Sequence, residues 1–200
     1  MSHPHSLLGR TLTLPNGAVL PNRLAKSAMS EAMGTMDNRV TPELVHLYER
    51  WALGVTGLLM TGNVMIDRHA LGEPGNVVLE DDRDMALLQQ WAAAATKNGA
   101  EIWVQLNHPG RQSPKGLNQE TVAPSAIGFS PEMQAFFGKP RELTDTEIEG
   151  IIERFANAAR LCKQAGFTGV QIHGAHGYLV SQFLSPLTNQ RTDRWGGNAE

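Results

Sequence analysis

The chain has 200 residues, of which 41% are hydrophobic and 18% charged, enough to bury one sizeable core. Its formal net charge of -3 gives no electrostatic reason to expect binding to nucleic acid or to a membrane surface. The single cysteine, Cys162, excludes an internal disulfide and any all-cysteine metal site. The N-terminus lacks the apolar segment of a secretory signal, and no stretch reaches the roughly 18 apolar residues of a membrane span. We therefore expect one cytoplasmic domain over residues 1–200.

The chain is expected to open with a β-hairpin. Leu12 and Leu14 alternate with threonines, and residues 18–20 form the returning strand. Between the two strands, Asn16-Gly17 predicts a type I′ turn, because both residue types tolerate positive φ.

A short strand and the first helix come next. Residues 24–29 predict the strand. The helix has Thr41 as N-cap, Pro42 at its first position and Gly54 at its end. Residues 57–66 form a continuous apolar run, which is typical of a strand buried on both faces.

The same order of helix and strand then repeats. Residues 82–98 have helical spacing, and residues 102–106 predict the next buried strand. Thr144 and Glu147 form a capping box at the start of a further helix, which is expected to end at Gly166.

This alternation predicts parallel βα units, with the fourth strand over residues 169–173. Closed barrels of such units need eight strands and typically about 250 residues, so the pattern leaves open a four-stranded open sheet and part of a barrel. Residues 107–143 and 174–200 are predicted to be mostly loop. Both follow the carboxyl ends of strands, where α/β folds place their sites, so we expect functional residues there.

The most informative residues lie at the end of the fourth strand, in the sequence QIHGAHGYL. His173 and His176 could converge on one oxygen atom and polarise a carbonyl group, and the phenol of Tyr178 could supply a proton. A metal-binding pair is one alternative, although no Asp, Glu or Cys follows within ten residues of His176. A structural pair that bonds backbone carbonyls is the other. Spacing alone leaves the three interpretations open.

The sequences HGAHGYL and QFLSPLTNQRTDRWGG resemble the Old Yellow Enzyme family of flavin-dependent NAD(P)H oxidoreductases and ene-reductases. PNRLAKSAMS is similar to the family's first strand and VQLNHPGR to its third. The resemblance implies the N-terminal half, about four βα units, of a (β/α)8 TIM barrel. Residues 1–23 would be an N-terminal hairpin segment, and residues 24–200 would be the βα units.

The resemblance also implies that FMN (flavin mononucleotide) binds where the strands end. Ser30 stands where the family usually has Thr or Cys beside flavin O4 and N5, and Gln105 matches the glutamine that bonds the pyrimidine edge. The cofactor-binding residues implied in this way are Ser27, Ala28, Met29, Ser30, Gly62, Asn63, Gln105 and His173.

The implied reaction has two halves, with NADH or NADPH as the reductant of the flavin. His173 and His176 would then hold the carbonyl oxygen of a small enone substrate while hydride passes from flavin N5 to the β-carbon. Tyr178 would protonate the α-carbon, and no metal is implied. Because the family's barrel has four further strands, the alternative is a non-catalytic half-barrel that acts only with a complementary half, contributed by another chain or by a homo-oligomer.

Overall fold

A computed structural model describes residues 7–197, so residues 1–6 of the predicted hairpin segment and 198–200 of the predicted βα units lie outside the described part. The strands are, in chain order, β1 (Leu12–Thr13), β2 (Val19–Leu20), β3 (Ala25–Lys26), β4 (Leu58–Met65), β5 (Glu101–Asn107), β6 (Val122–Ala123), β7 (Arg141–Glu142) and β8 (Gly169–Ile172). The α-helices are α1 (Pro42–Ala52), α2 (Met85–Ala95), α3 (Asp145–Ala165) and α4 (Leu179–Leu184). No helix of residues 7–197 is long and apolar enough to cross a membrane.

The predicted hairpin is confirmed, because β1 and β2 pair antiparallel. The predicted type I′ turn is wrong, since Gly17, with a φ of 87°, is left-handed and Asn16 is not. Leu14 donates to the carbonyl of Ala18, and Gly17 donates to the carbonyl of Leu14. Pro15 favours a type I turn at this point, and the left-handed glycine that follows makes the loop three residues long.

Four strands form the central sheet, which is parallel and has the order β3-β4-β5-β8. This arrangement confirms the predicted parallel βα units. Ile102, Val104 and Leu106 of β5 belong to the apolar core on the helical side of the sheet. Because side chains alternate along a strand, Gln105 and Asn107 lie on the opposite face.

Local capping signals set the helix starts as predicted. Thr41 accepts a hydrogen bond from the N–H of Leu44 at the start of α1, and the capping box of Thr144 and Glu147 is complete at the start of α3. Gly166 ends α3 with a left-handed φ of 93°. The first helix ends at Ala52, two residues before the predicted glycine.

The core between the sheet and the helices contains three aromatic rings in contact with one another in series. The Trp91 ring lies 5.1 Å from the Tyr48 ring and 5.5 Å from the Phe167 ring, both in edge-to-face contact. Trp91 is 1% exposed, so it belongs to the core rather than to a cofactor site.

The predicted strand over residues 24–29 is wrong beyond Lys26, where β3 ends. Its partner strand β4 shifts register against β5 between Met60 and Asn63, so Gly62 has no register partner on β5. The backbone N–H of Gly62 instead donates to the carboxylate of Glu31 at 3.1 Å. The segment after Lys26 therefore follows a side-chain contact and leaves the sheet.

The two predicted loops contain short elements that the sequence pattern did not indicate. Residues 107–143 and 174–197 are irregular over most of their length, but the first contributes β6 and the second contains α4. Six residues are too few to show helical periodicity. The buried Gln182 fixes α4 by donating to the carbonyls of Pro109 (3.2 Å) and Gly177 (2.7 Å).

Candidate active site

A row of amide side chains crosses the sheet on the face opposite the core. Asn63, Gln105 and Gln171 are register partners on β4, β5 and β8. Gln105 is 8% exposed and donates from Nε2 to Oε1 of Gln171 at 2.8 Å. The sequence reasoning missed Gln171, although it lies two residues before His173 and so shares the histidine's face of the strand.

Asn107 continues the same face of β5 toward the carboxyl ends of the strands, which we call the carboxyl edge. It is fully buried, and neither polar atom of its side chain has a hydrogen-bond partner among the described residues. A buried amide of this kind is usually satisfied by water or a ligand. The carboxyl edge thus has unused hydrogen-bonding capacity next to Gln105.

His173 leaves β8 directly at the carboxyl edge. Its backbone N–H donates to the carbonyl of Leu106 at 2.9 Å, and its Nδ1 accepts the N–H of Ala175 at 3.3 Å. Burial lowers the pKa of His173, and the neighbouring His176 lowers it further. The ring is therefore neutral at pH 7, with its proton on Nε2 available for donation.

The turn after β8 brings the three predicted catalytic residues together. The ring of His173 lies 5.2 Å from that of His176 and 4.8 Å from that of Tyr178, between ring centroids. His176 has a φ of 56°, a left-handed conformation in which histidine and asparagine are enriched among non-glycine residues. The side chain of Gln112 donates to its carbonyl and holds the turn.

Tyr178 is half-buried and immediately precedes α4. Burial raises the pKa of its phenol, and the negative charge of Glu73 raises it further. The phenol consequently keeps its proton at neutral and moderately alkaline pH. A protonated phenol beside two imidazoles can act as a hydrogen-bond donor or as a general acid.

The segment after β3 carries four of the predicted cofactor-binding residues. Ser27, Met29 and Ser30 are exposed, Met29 to 60% of its surface, and Ala28 is half-buried. The hydroxyl of Ser30 donates to Oε1 of Glu73.

A buried ionic cluster fixes this segment against β4. Lys26 donates from Nζ to Glu31 (3.3 Å), to the Tyr48 hydroxyl (3.2 Å) and to the carbonyl of Met60 (2.8 Å). The Tyr48 hydroxyl also donates to Glu31. Lys26 and Glu31 have side-chain exposures of only 14% and 11%, so the pair is largely desolvated. The sequence reasoning missed this cluster because its members lie as many as 34 residues apart.

Gly62 is the contact point between this segment and β4. A Cβ on Gly62 would lie 2.5 Å from the carbonyl oxygen of Met29 and 2.8 Å from Cα of Ser30. Both contacts are with backbone atoms, which cannot rotate away. Gly62 therefore lets the exposed segment lie directly on the strand, next to Asn63.

The substitution Gly62→Ala is expected to lower the free energy of unfolding by about 2 kcal/mol, because the segment must move off β4. Gly150→Ala is the matched control: a Cβ at this helical glycine meets nothing within 4 Å, so the change should be neutral or stabilise by up to ~1 kcal/mol. Urea unfolding of both variants measures the difference. Equal stabilities would contradict the packing argument.

His108 and Arg111 support the edge from the loop after β5. His108 is buried and accepts the N–H of Gly110 on Nδ1 at 3.1 Å. The Arg111 guanidinium donates to the carbonyls of Ile127 and Gly128 and lies 4.4 Å from the Phe129 ring centroid. These contacts brace the loop.

Acid is expected to destabilise the fold through His108. Burial lowers its pKa from 6.5 to about 4, so between these values the unfolded chain binds more protons than the folded chain. The stabilisation is complete above pH 6.5 and is lost as the pH falls toward 4, by about 2 kcal/mol between pH 7 and 5. Urea unfolding at both pH values should show that the loss of unfolding free energy is smaller in His108→Gln and is retained in the exposed control His69→Gln. Equal pH dependence in both variants would refute the role of His108.

Comparison with known proteins gives consistent matches over nearly the whole chain. The profile of the NADH:flavin oxidoreductase / NADH oxidase family matches residues 12–200. The NADH-dependent flavin oxidoreductase iliE of Hypocrea jecorina is 41% identical over 206 residues, which cover 94% of this chain and 51% of that protein.

Solved structures agree with the sequence matches. The old yellow enzyme homologue from Zymomonas mobilis superposes with a TM-score of 0.86 at 28% identity, covering 96% of this chain and 55% of that one. Morphinone reductase in complex with tetrahydroNAD superposes with a TM-score of 0.85 at 28% identity, covering 97% of this chain and 56% of that one. The chain thus spans about half the length of these proteins.

Proposed function

Because the chain belongs to the NADH:flavin oxidoreductase / NADH oxidase family, we propose that it provides the substrate-polarising half of an FMN-dependent ene-reductase. The family membership and the structural neighbours confirm the predicted resemblance to Old Yellow Enzyme and the predicted half of a TIM barrel. The predicted use of FMN with NADH or NADPH agrees with the family. The proposed substrates are small molecules in which a carbon–carbon double bond is conjugated to a carbonyl group.

The carboxyl edge has the chemistry that a flavin ring requires. Gln105 offers an amide donor and acceptor for a mixed polar edge, and Ser30 adds a hydroxyl. The unpartnered amide of Asn107 and the exposed apolar side chain of Met29 fit the polar and apolar parts of such a ring. We propose that FMN is held by residues 27–30 and by Asn63, Gln105 and His173. The predicted contact of Gly62 with FMN is wrong, because Met29 and Ser30 cover this glycine and its N–H donates to Glu31. When bound, FMN supplies the hydride chemistry.

The adjacent rings of His173, His176 and Tyr178 are the observation that carries the proposal. Both imidazoles donate hydrogen bonds to the carbonyl oxygen of the substrate and withdraw electron density from the double bond. Tyr178 holds the proton that the α-carbon receives. The low pKa of His173 and the high pKa of Tyr178 keep both groups in the forms that these roles need.

Anaerobic mixing of the purified chain with FMN and NADPH or NADH tests this function. We expect the flavin absorption to bleach and to return when an enone such as 2-cyclohexenone is added. If the chain binds FMN but no enone reoxidises the reduced flavin, the ene-reductase assignment is wrong. Full activity without flavin, abolished by a chelator, would instead favour the metal interpretation.

A second candidate is a half-barrel that acts only after association with a complementary half. An apolar groove of about 600 Å³ lies between α3 and α4, with lining residues that include Ile152, Phe155 and Leu184. Within residues 7–197, the outer strands β3 and β8 each pair with a single sheet neighbour. Unpaired strand edges and exposed apolar grooves are surfaces on which another segment can pack.

The size of the chain in solution separates the two candidates. A monomer that binds one FMN per chain would refute the association requirement. A chain that binds FMN only as a homo-oligomer, or only when co-expressed with the C-terminal half of the Hypocrea jecorina relative, would support it. Analytical ultracentrifugation with detection at the flavin absorption band measures size and cofactor together.

A further inference from the structure

Glu73 places a carboxylate at the carboxyl edge, and the sequence analysis did not predict this residue. It lies in the loop after β4 and accepts the hydroxyl of Ser30 on Oε1. The buried side chain of Asn76 accepts the N–H groups of Gly72 and Glu73, both at 2.9 Å, and its Nδ2 lies 3.4 Å from the same carboxylate. The carboxylate is therefore fixed in place.

The backbone around Glu73 is tied to the segment that follows β3. Gly34, which follows Ser30 in the chain, donates its N–H to the carbonyl of Gly75 at 2.7 Å. This bond joins the two segments. A Cβ on Gly72 would lie 3.8 Å from Nδ2 of Asn63, so the loop passes over the amide row. The loop thus brings Glu73 to the predicted cofactor and substrate residues.

The charge of Glu73 is not neutralised by a basic side chain. Within the described part of the chain, no lysine or arginine lies within 4.0 Å of its carboxylate. The imidazole of His173 is neutral at pH 7 and supplies no compensating charge. Because this carboxylate accepts the Ser30 hydroxyl and its loop lies over Asn63, its charge lies beside the proposed cofactor and substrate residues, and it raises the pKa of the Tyr178 phenol.

We propose that Glu73 selects substrates by charge, so that the site accepts neutral conjugated ketones and aldehydes and disfavours conjugated carboxylates. This proposal rests on the proposed function, because it concerns the substrate that His173, His176 and Tyr178 hold. Two negative charges close together in a partly desolvated site repel each other strongly. A neutral carbonyl group of the same shape experiences no such repulsion.

Benzylideneacetone and cinnamate test the proposal because they share the styryl group and a conjugated carbonyl carbon, which carries a methyl group in the ketone and a second oxygen in the carboxylate. We expect Glu73→Gln to raise kcat/KM for cinnamate relative to benzylideneacetone roughly tenfold in the FMN-loaded chain. The amide still accepts the Ser30 hydroxyl, so the loop keeps its contact. Glu153→Gln, which removes an exposed charge on α3, is the matched control and should leave the ratio unchanged. An unchanged ratio in Glu73→Gln would overturn the proposal.

A binding measurement separates this proposal from the proposed function. The chain has two tyrosines, so 3-fluorotyrosine labelling gives two fluorine resonances, and Tyr178→Phe identifies that of Tyr178. Both compounds are titrated against this resonance without flavin or nicotinamide. Tighter cinnamate binding in Glu73→Gln, with no reduction of either alkene, would retain charge selection and refute the ene-reductase function. Equal affinity for cinnamate in the unsubstituted chain and in Glu73→Gln would refute charge selection. So would the absence of any response of the Tyr178 resonance to either compound.

Discussion

Replacement of His173 by alanine is expected to slow alkene reduction by about 10²-fold, while reduction of the flavin by NADH changes only slightly. The imidazole donates to the carbonyl oxygen, where negative charge develops as the double bond accepts hydride. As NADH gives up hydride its ring gains positive charge, so the nicotinamide develops no negative charge that needs this donor. Stopped-flow absorption at the flavin band measures the two half-reactions separately.

Two further variants make the His173 experiment specific. His176→Asn is expected to retain most of the activity, because asparagine also tolerates the left-handed backbone and still offers an N–H donor. His46→Ala, on the exposed face of α1, should change neither half-reaction. Equal slowing of both half-reactions by His173→Ala would show that the ring is structural.

Most of the fold could be predicted from interactions between residues that are close in sequence. The cap of Thr41 and the capping box of Thr144 and Glu147 each involve residues within one helical turn, so the sequence contains the whole interaction. The apolar runs of β4 and β5 also depend on their own residues, because both faces of these strands are covered.

Contacts between distant residues explain what the sequence did not predict. The end of β3 at Lys26 depends on Glu31 binding the N–H of Gly62, 31 residues away. Helix α4 depends on Gln182, whose partner Pro109 is 73 residues away. Neither contact leaves a periodic pattern in the segment that it shapes.

The candidate site likewise contains residues that the sequence could bring together and residues that it could not. His173, His176 and Tyr178 lie within six residues, so one turn brings their rings together and the sequence spacing could indicate it. Glu73 is 43 residues from Ser30, and the four-residue strand β8 brings Gln171 to Gln105 across 66 residues. Only the order of the parallel strands places these groups at one edge.

Replacement of Tyr178 by phenylalanine is expected to slow alkene reduction by about 10²-fold or more and to leave flavin reduction by NADH nearly unchanged. The phenol is the proposed proton source for the α-carbon, and phenylalanine keeps the ring but not the proton. Burial and Glu73 raise the pKa of this phenol above its ordinary value of 10.0. The rate of alkene reduction should therefore stay constant from pH 7 to about 10 and fall only at higher pH.

Tyr48 provides the control for this experiment, because it is the other tyrosine of the chain and its hydroxyl contacts Lys26 and Glu31 rather than the carboxyl edge. Tyr48→Phe is expected to lower the free energy of unfolding by about 1–2 kcal/mol, since it removes a buried hydrogen bond. It should not alter the solvent deuterium isotope effect on alkene reduction. Tyr178→Phe should change that isotope effect, because water must then deliver the proton. Slowing of nicotinamide oxidation alone in Tyr178→Phe would show that another group donates the proton.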